Sequence, residues 1–344
     1  MREMAMPVLP VIARAQDRSV GMPAAETVRI AVLDDYQHVA RSFADWSTLP
    51  AHARVVFFHD HVADIDQLAA RFEPFDVLVL TRERTKFDAA LINRLPRLKL
   101  IVTIGMWNAA IDIAAANAQG VVVSGTTGGS KDAMPALTWG LILGLTRNLY
   151  REAASVRAGG WQVDVGRNIS GRTLGVLGLG AIGREVAQIG KSFGMRPVAW
   201  SQNLDAEKAA EAGVEFVSKE ELFRNSDVLT VHLKLSDRTR NIIGAAELAL
   251  MKKTAFLINT SRGQLISESA LVSALQERRI AGAAVDVYDV EPLPKDSPFR
   301  HLPNVLATPH VGFVTEDTYR GAFPTIVENI QAWIEGVPAR VLTA

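Results

Sequence analysis

Three short segments in the second half of the chain carry side chains able to do chemistry. They read Asn259-Thr260-Ser261-Arg262-Gly263, Asp286-Val287-Tyr288-Asp289-Val290-Glu291-Pro292 and Thr308-Pro309-His310-Val311-Gly312. A cation, a carboxylate and an imidazole suffice for acid–base work on an anionic substrate. The guanidinium stays charged and forks onto a carboxylate or carbonyl oxygen. The imidazole gives or takes a proton near neutral pH, and a carboxylate partner orients the ring and favours its charged form. Each group also has a plain structural reading: a salt bridge for Arg262, a solvated loop acid for Glu291, a hydrogen-bonded turn for His310. Ahead of them stands Gly178-Leu179-Gly180-Ala181-Ile182-Gly183, a G-x-G-x-x-G between an apolar run at 173–177 and a helix-like stretch at 184–193. In that setting the first glycine allows a tight turn, the second admits a pyrophosphate against the backbone, and the third packs helix on strand. The helix N-terminus supplies a partly positive anion site. A dinucleotide is the expected ligand.

The elements that must position these groups alternate regularly. Apolar runs at 29–33, 55–58, 77–80, 100–103 and 121–123 are separated by amphipathic stretches at 64–72, 88–95 and 111–118. This β-α alternation predicts a parallel sheet. A glycine-rich break at 125–129 leads into 135–157, read as one long helix connecting two lobes. A second series of seven strands follows at 173–177, 197–200, 215–217, 228–232, 255–259, 283–287 and 305–308, enough for a complete doubly wound domain. The three chemistry-bearing segments each follow a strand of this series, at the carboxyl ends where open α/β sheets place their ligand crevice. A last amphipathic helix at 316–335 is expected to return to the first lobe.

Composition sets limits. The 344 residues are 48% hydrophobic, enough for two cored domains. Lys plus Arg and Asp plus Glu both number 37, so no global field recruits nucleic acid or an anionic membrane. The chain has no cysteine, which excludes disulfides and thiolate chemistry and fits a cytoplasmic setting. No apolar run is long enough to span a bilayer. Residues 1–27, with Pro7, Pro10, Gly21 and Pro23, read as a flexible extension, an organellar presequence being the alternative.

The order and spacing of the arginine, glutamate and histidine segments behind the fingerprint resemble the D-isomer-specific 2-hydroxyacid dehydrogenase family, from about residue 29 onwards. The resemblance implies two doubly wound parallel-sheet α/β domains with a cleft between them. A flavodoxin-like substrate domain would span 28–126 and 311–344, and a Rossmann nucleotide domain 127–310. It implies that Arg262 binds substrate, that Glu291 and His310 are the acid–base pair, and that Thr260 and Asp286 hold the nicotinamide carboxamide. A 2-keto acid and its D-2-hydroxy acid would be interconverted by a homodimer using NAD or NADP. The rival reading is a non-catalytic dinucleotide-sensing interaction protein on the same fold. Formate-oxidising relatives carry glutamine where Glu291 stands, so the acid argues against that chemistry.

Cofactor choice turns on Ala199-Trp200-Ser201-Gln202-Asn203, the end of the second strand of the nucleotide series. NAD-specific sites place an acid there to bind the ribose hydroxyls. Ser201 and Gln202 stand instead, which admits a 2′-phosphate and leans the choice slightly to NADPH, though the loop offers no arginine. His232, at another strand end, is placed near the adenosine or as an interior histidine. In the first lobe, Gly105-Met106-Trp107 resembles the family's carboxylate-binding loop, with Trp107 where a second glycine is common. Met106 and Trp107 read as an apolar wall for the substrate side chain or as core packing. Arg82 resembles a substrate-contacting arginine, with Arg84 equally in register. His59-Asp60-His61 is the densest set of metal-ligand types, and with no third and fourth ligand evident no metal is expected.

Overall fold

The computed structural model describes residues 27–344; apart from Thr27, the extension expected over residues 1–27 lies outside the described residues. The chain divides into two compact units. One is the chain up to Thr126 together with Pro324–Ala344, the other Thr127–Phe323.

The first unit holds Val28–Val32 (β1), Ala53–Phe57 (β2), Val77–Leu80 (β3), Leu100–Thr103 (β4) and Val122–Gly125 (β5). They form one parallel sheet in the order β2-β1-β3-β4-β5, the flavodoxin-like order. All residues of β3 and β4 are buried, as expected of strands covered on both faces. Ile65–Phe72 (α1), Ala89–Ile92 (α2) and Ile113–Ala118 (α3) each start at an aspartate, Asp64, Asp88 or Asp112. Its side chain accepts a first-turn N–H, which satisfies a donor the helix leaves open. Phe72, Leu78, Leu80, Phe87, Ile92 and Ile101 belong to the core. The C-terminal segment closes the unit: Leu342 N–H donates to the Val123 carbonyl, and buried Asn329 donates to the Gly125 carbonyl at 2.7 Å.

The second unit begins with Ala133–Thr146 (α4) and Leu149–Arg157 (α5). The single long connector expected over 135–157 is thus two helices. Asn148 breaks them with φ +51°, and α4 packs against the strands of its own unit. Asparagine tolerates the left-handed region better than most residues, which is why the break needs no glycine or proline. The strands are Thr173–Leu177 (β6), Arg196–Trp200 (β7), Glu215–Phe216 (β8), Val228–Val231 (β9), Phe256–Asn259 (β10), Gly282–Val285 (β11) and Val305–Ala307 (β12). All are parallel in the order β12-β11-β10-β9-β6-β7-β8, which reverses direction between β6 and β9 as in the Rossmann arrangement. Alternate residues serve opposite faces. Leu229 and Leu257 enter one core while Val228 and Ile258 enter the other. Between the strands run Ala181–Ser192 (α6), Ala206–Glu211 (α7), Lys219–Asn225 (α8), Ala245–Leu250 (α9) and Glu268–Gln276 (α10).

The division between the units falls inside Glu316–Ile334 (α11), beyond the boundary expected at 310/311. The cause is local. Val311 and Gly312 N–H groups bind Asp286, and a Cβ on Gly321 would sit 2.0 Å from the Gly128 carbonyl oxygen. Residues 311–323 are therefore built into the nucleotide-domain unit. Among the described residues no helix is long and apolar enough to cross a membrane.

Candidate active site

Strands β10, β11 and β12 are neighbours, and their last residues Asn259, Val285 and Ala307 lie in register. The three chemistry-bearing segments therefore leave one edge of the sheet side by side. A Cβ on Gly263 would meet the Tyr288 carbonyl carbon at 2.2 Å, so the arginine turn rests directly on the glutamate loop. Within the arginine turn, Asn259 Nδ2 donates to the Arg262 carbonyl at 2.9 Å, and Ser261 Oγ donates to the Val231 carbonyl at 2.7 Å. Arg262 stays partly exposed.

Glu291 and His310 form a pair. His310 Nδ1 lies 2.5 Å from Glu291 Oε2, and Glu291 Oε1 accepts the Tyr288 N–H at 2.9 Å. The carboxylate is thereby fixed at both oxygens, and the ring's other nitrogen, Nε2, is left to exchange a proton with a substrate. His310 sits at φ +51°, a left-handed conformation that needs outside support in a residue other than glycine. Asp286 provides it. Fully buried, its Oδ1 accepts Thr308 Oγ1 at 2.6 Å and Val311 N–H at 2.9 Å, while Oδ2 accepts Gly312 N–H at 2.9 Å. Burial pushes the Asp286 carboxyl up, opposed by its bonds from Thr308 and Val311 and by the charge of His310. The Tyr288 hydroxyl adds a brace, donating to the carbonyls of Val285 and Thr308. Burial pushes that phenol well above its usual range, so it stays protonated. Sequence reasoning did not single out Tyr288 or Thr308 for these roles, although both lie within the quoted motifs. Thr260 is buried with its hydroxyl 3.0 Å from that of Thr138 on α4.

The fingerprint turn lies at the end of β6, at the point where strand order reverses. Gly178 has φ +104°, and a Cβ there would approach the His232 carbonyl oxygen to 2.7 Å, so the turn admits only glycine. A Cβ on Gly183 would sit 2.1 Å from the Gly178 carbonyl oxygen, which makes it the helix-on-strand contact. Gly180 heads α6 with no side-chain cap and with open space where a Cβ would project. Ala181 and Ile182 open the first turn of α6, and both are exposed. An uncapped helix start facing open space suits a pyrophosphate. Ser201 is partly exposed after β7, and Gln202 Nε2 donates to the Arg238 carbonyl at 3.2 Å, a partner sequence reasoning did not anticipate.

His232 Nε2 lies 2.9 Å from Thr230 Oγ1, and burial pushes its pKa down to about 4. Its neutral form is therefore the folded one. Because the unfolded ring titrates near 6.5, the unfolded state binds the extra proton first as pH falls. This contribution is complete above about pH 6.5 and is lost progressively towards about pH 4. Urea unfolding at pH 7 and pH 5 should show wild type losing about 1–2 kcal/mol more than His232→Gln, the partial exposure of the residue limiting the effect. Equal losses in the two proteins would remove His232 from the acid sensitivity.

In the first unit, Gly105 has φ +93°, and a Cβ there would collide with Arg82 Nη1 at 2.4 Å. Arg82 thus lies against the loop, donating to the Ile104 carbonyl at 3.3 Å, while the Gly105 N–H donates to Thr126 Oγ1 at 2.9 Å. Arg84 does something else: it stacks on Tyr36 with 4.6 Å to the ring centroid and donates to the Asp34 carbonyl. The structure therefore separates two arginines that the register leaves equivalent. Met106 and Trp107 are about half exposed, so they are not core residues. The His59 ring contacts the Asp35 carbonyl and His61 contacts Asp34 Oδ1, and among the described residues no group of three or more ligand-type side chains is placed to hold a metal.

The comparisons with known proteins agree with this geometry. The family model described as D-isomer specific 2-hydroxyacid dehydrogenase, NAD binding domain, matches residues 139–312. The chain belongs to that family. A glyoxylate reductase of Aeropyrum pernix is 39% identical over 260 residues, covering 73% of this chain and 78% of that protein. A D-3-phosphoglycerate dehydrogenase of Methanocaldococcus jannaschii is 36% identical over 300 residues; the match takes in 84% of this chain but only 57% of the longer relative. Among solved structures, a phosphoglycerate oxidoreductase from Vibrio cholerae superposes with a TM-score of 0.85 at 40% identity, covering 90% of this chain and all of that one. As a D-isomer specific 2-hydroxyacid dehydrogenase, the chain is an oxidoreductase whose second unit is built for NAD(H) or NADP(H).

Proposed function

We propose that this dehydrogenase reduces a small 2-keto acid to the D-2-hydroxy acid, and runs the reverse reaction, with NADPH favoured over NADH. The observation that carries the reading is the Glu291–His310 pair at 2.5 Å, braced by Asp286 and set beside the arginine turn on adjacent strand ends. Gly178, Gly180 and Gly183 with the start of α6 would hold the pyrophosphate, and Thr260 and Asp286 are the candidates for the carboxamide end. When bound there, the nicotinamide supplies the hydride. His310 delivers a proton to the C2 carbonyl oxygen as negative charge develops on it, and takes it back in oxidation. Glu291 holds the ring through Nδ1 in both directions. Arg262 binds the substrate carboxylate and carbonyl oxygen.

The Gly105 loop and Arg82 are the second candidate carboxylate site, and half-exposed Met106 and Trp107 suit an apolar substrate substituent. Names such as glyoxylate reductase and hydroxypyruvate reductase among the relatives set the substrate range to try first. We assign homodimer formation to the apolar side chains left exposed along and after α5, Leu149, Val156, Trp161 and Val165, with Trp161 75% and Val165 91% exposed.

The test follows the reduced-nicotinamide absorbance with NADPH and NADH against glyoxylate, hydroxypyruvate, pyruvate and phenylpyruvate. Turnover of one or more acids supports the reading. Cofactor binding with no turnover across the panel would favour the sensor alternative. Ser201→Asp should shift the NADPH-to-NADH ratio of kcat/KM towards NADH by about tenfold or more, because the new carboxylate repels a 2′-phosphate and accepts from ribose hydroxyls. An unchanged ratio would remove Ser201 from the ribose site.

A further inference from the structure

The loop after β7 contains Ser201, Gln202 and Asn203 but no cation for a 2′-phosphate. The fold brings one from a different strand. Gln202 Nε2 donates to the backbone carbonyl of Arg238 at 3.2 Å. Arg238 lies in the loop after β9, and β9 and β7 flank β6 on opposite sides. The bond therefore joins the two loops on either side of the fingerprint strand.

The loop that carries Arg238 is held firmly. The buried Thr239 Oγ1 donates to the Lys234 carbonyl at 2.7 Å and accepts the Ser236 N–H at 2.8 Å, and Arg240 N–H donates to the Ser236 carbonyl at 2.9 Å. Arg238 itself is exposed, and among the described residues its guanidinium has no hydrogen bond or ion pair. A long cation on a braced backbone, placed beside a strand end that lacks the usual acid, has the reach and charge to meet a phosphate monoester. We infer that Arg238 supplies the cation that reads the ribose 2′-phosphate of NADPH, while Gln202 fixes the approach of its loop. The inference rests on the NADPH reading of this site and names the residue that enforces it.

Calorimetric titration with 2′,5′-ADP and 5′-AMP tests it without turnover. Wild type should bind 2′,5′-ADP more tightly than 5′-AMP, by a margin that shrinks as salt is raised. Arg238→Ala should weaken 2′,5′-ADP by about tenfold to a hundredfold and leave 5′-AMP within about twofold. Arg238→Lys should recover part of the difference. Equal weakening of both probes would make Arg238 a scaffold of the loop and overturn the inference, as would no change in either. Equal affinity of wild type for the two probes would overturn the NADPH preference together with this assignment. Failure of wild type to bind either probe would overturn the dinucleotide reading of the turn itself.

Discussion

His310→Ala is expected to lower kcat for keto-acid reduction by about 10²–10⁴-fold while NADPH affinity stays within about twofold. The loss is large because in the proposed reaction His310, paired with Glu291 at 2.5 Å, carries the proton, and alanine leaves no group to replace it. Cofactor affinity survives because the fingerprint turn is shaped by its own contacts, Gly183 against Gly178 and Gly178 against His232. Alanine also keeps a Cβ at the φ +51° position, so backbone strain and folding stability change little. Steady-state kinetics with fluorescence titration of NADPH checks both halves. Equal loss of turnover and binding would make His310 a structural residue.

Asp286→Asn should combine a stability loss of about 2–4 kcal/mol with a large fall in kcat. The buried carboxylate accepts from Thr308, Val311 and Gly312. An asparagine of the same shape that keeps its oxygen towards Thr308 and Val311 must point its NH2 at the Gly312 N–H. Donor then faces donor in a buried site, and the turn that holds His310 is released. Urea unfolding and initial rates measure the two effects. A variant with native stability and full turnover would show that Asp286 does not hold the turn.

Features set by neighbouring residues could be read from the sequence, and features set by distant ones could not. Val77–Leu80 is a continuous apolar run and Val228–Val231 one interrupted only by Thr230, and both are buried parallel strands. The fingerprint is legible because the strand before it and the helix after it are adjacent in sequence. So are Glu291 before Pro292 and His310 after Pro309. The break at Asn148 carries only the weak signal of one asparagine, and the long helix expected there is two. Arg82 and Arg84 are alike in sequence, and only packing against Gly105 or under Tyr36 tells them apart. Gln202 and Arg238 are 36 residues apart, and no local pattern brings them together. The same holds for Gly128 and Gly321, whose close approach places the domain boundary within α11.

The discontinuity of the first unit bears on how the chain folds as it is made. Synthesis runs from the N-terminus, and domains generally fold as units as they emerge. Residues 127–323 are contiguous and complete their sheet while the first unit still lacks Pro324–Ala344. Asn329, which closes on Gly125, and Leu342, which pairs with Val123, both follow the whole second unit in chain order and so are made after it. The unit that starts first therefore closes second, and its β5 edge gains the Leu342 bond only after the whole of the other unit has been made.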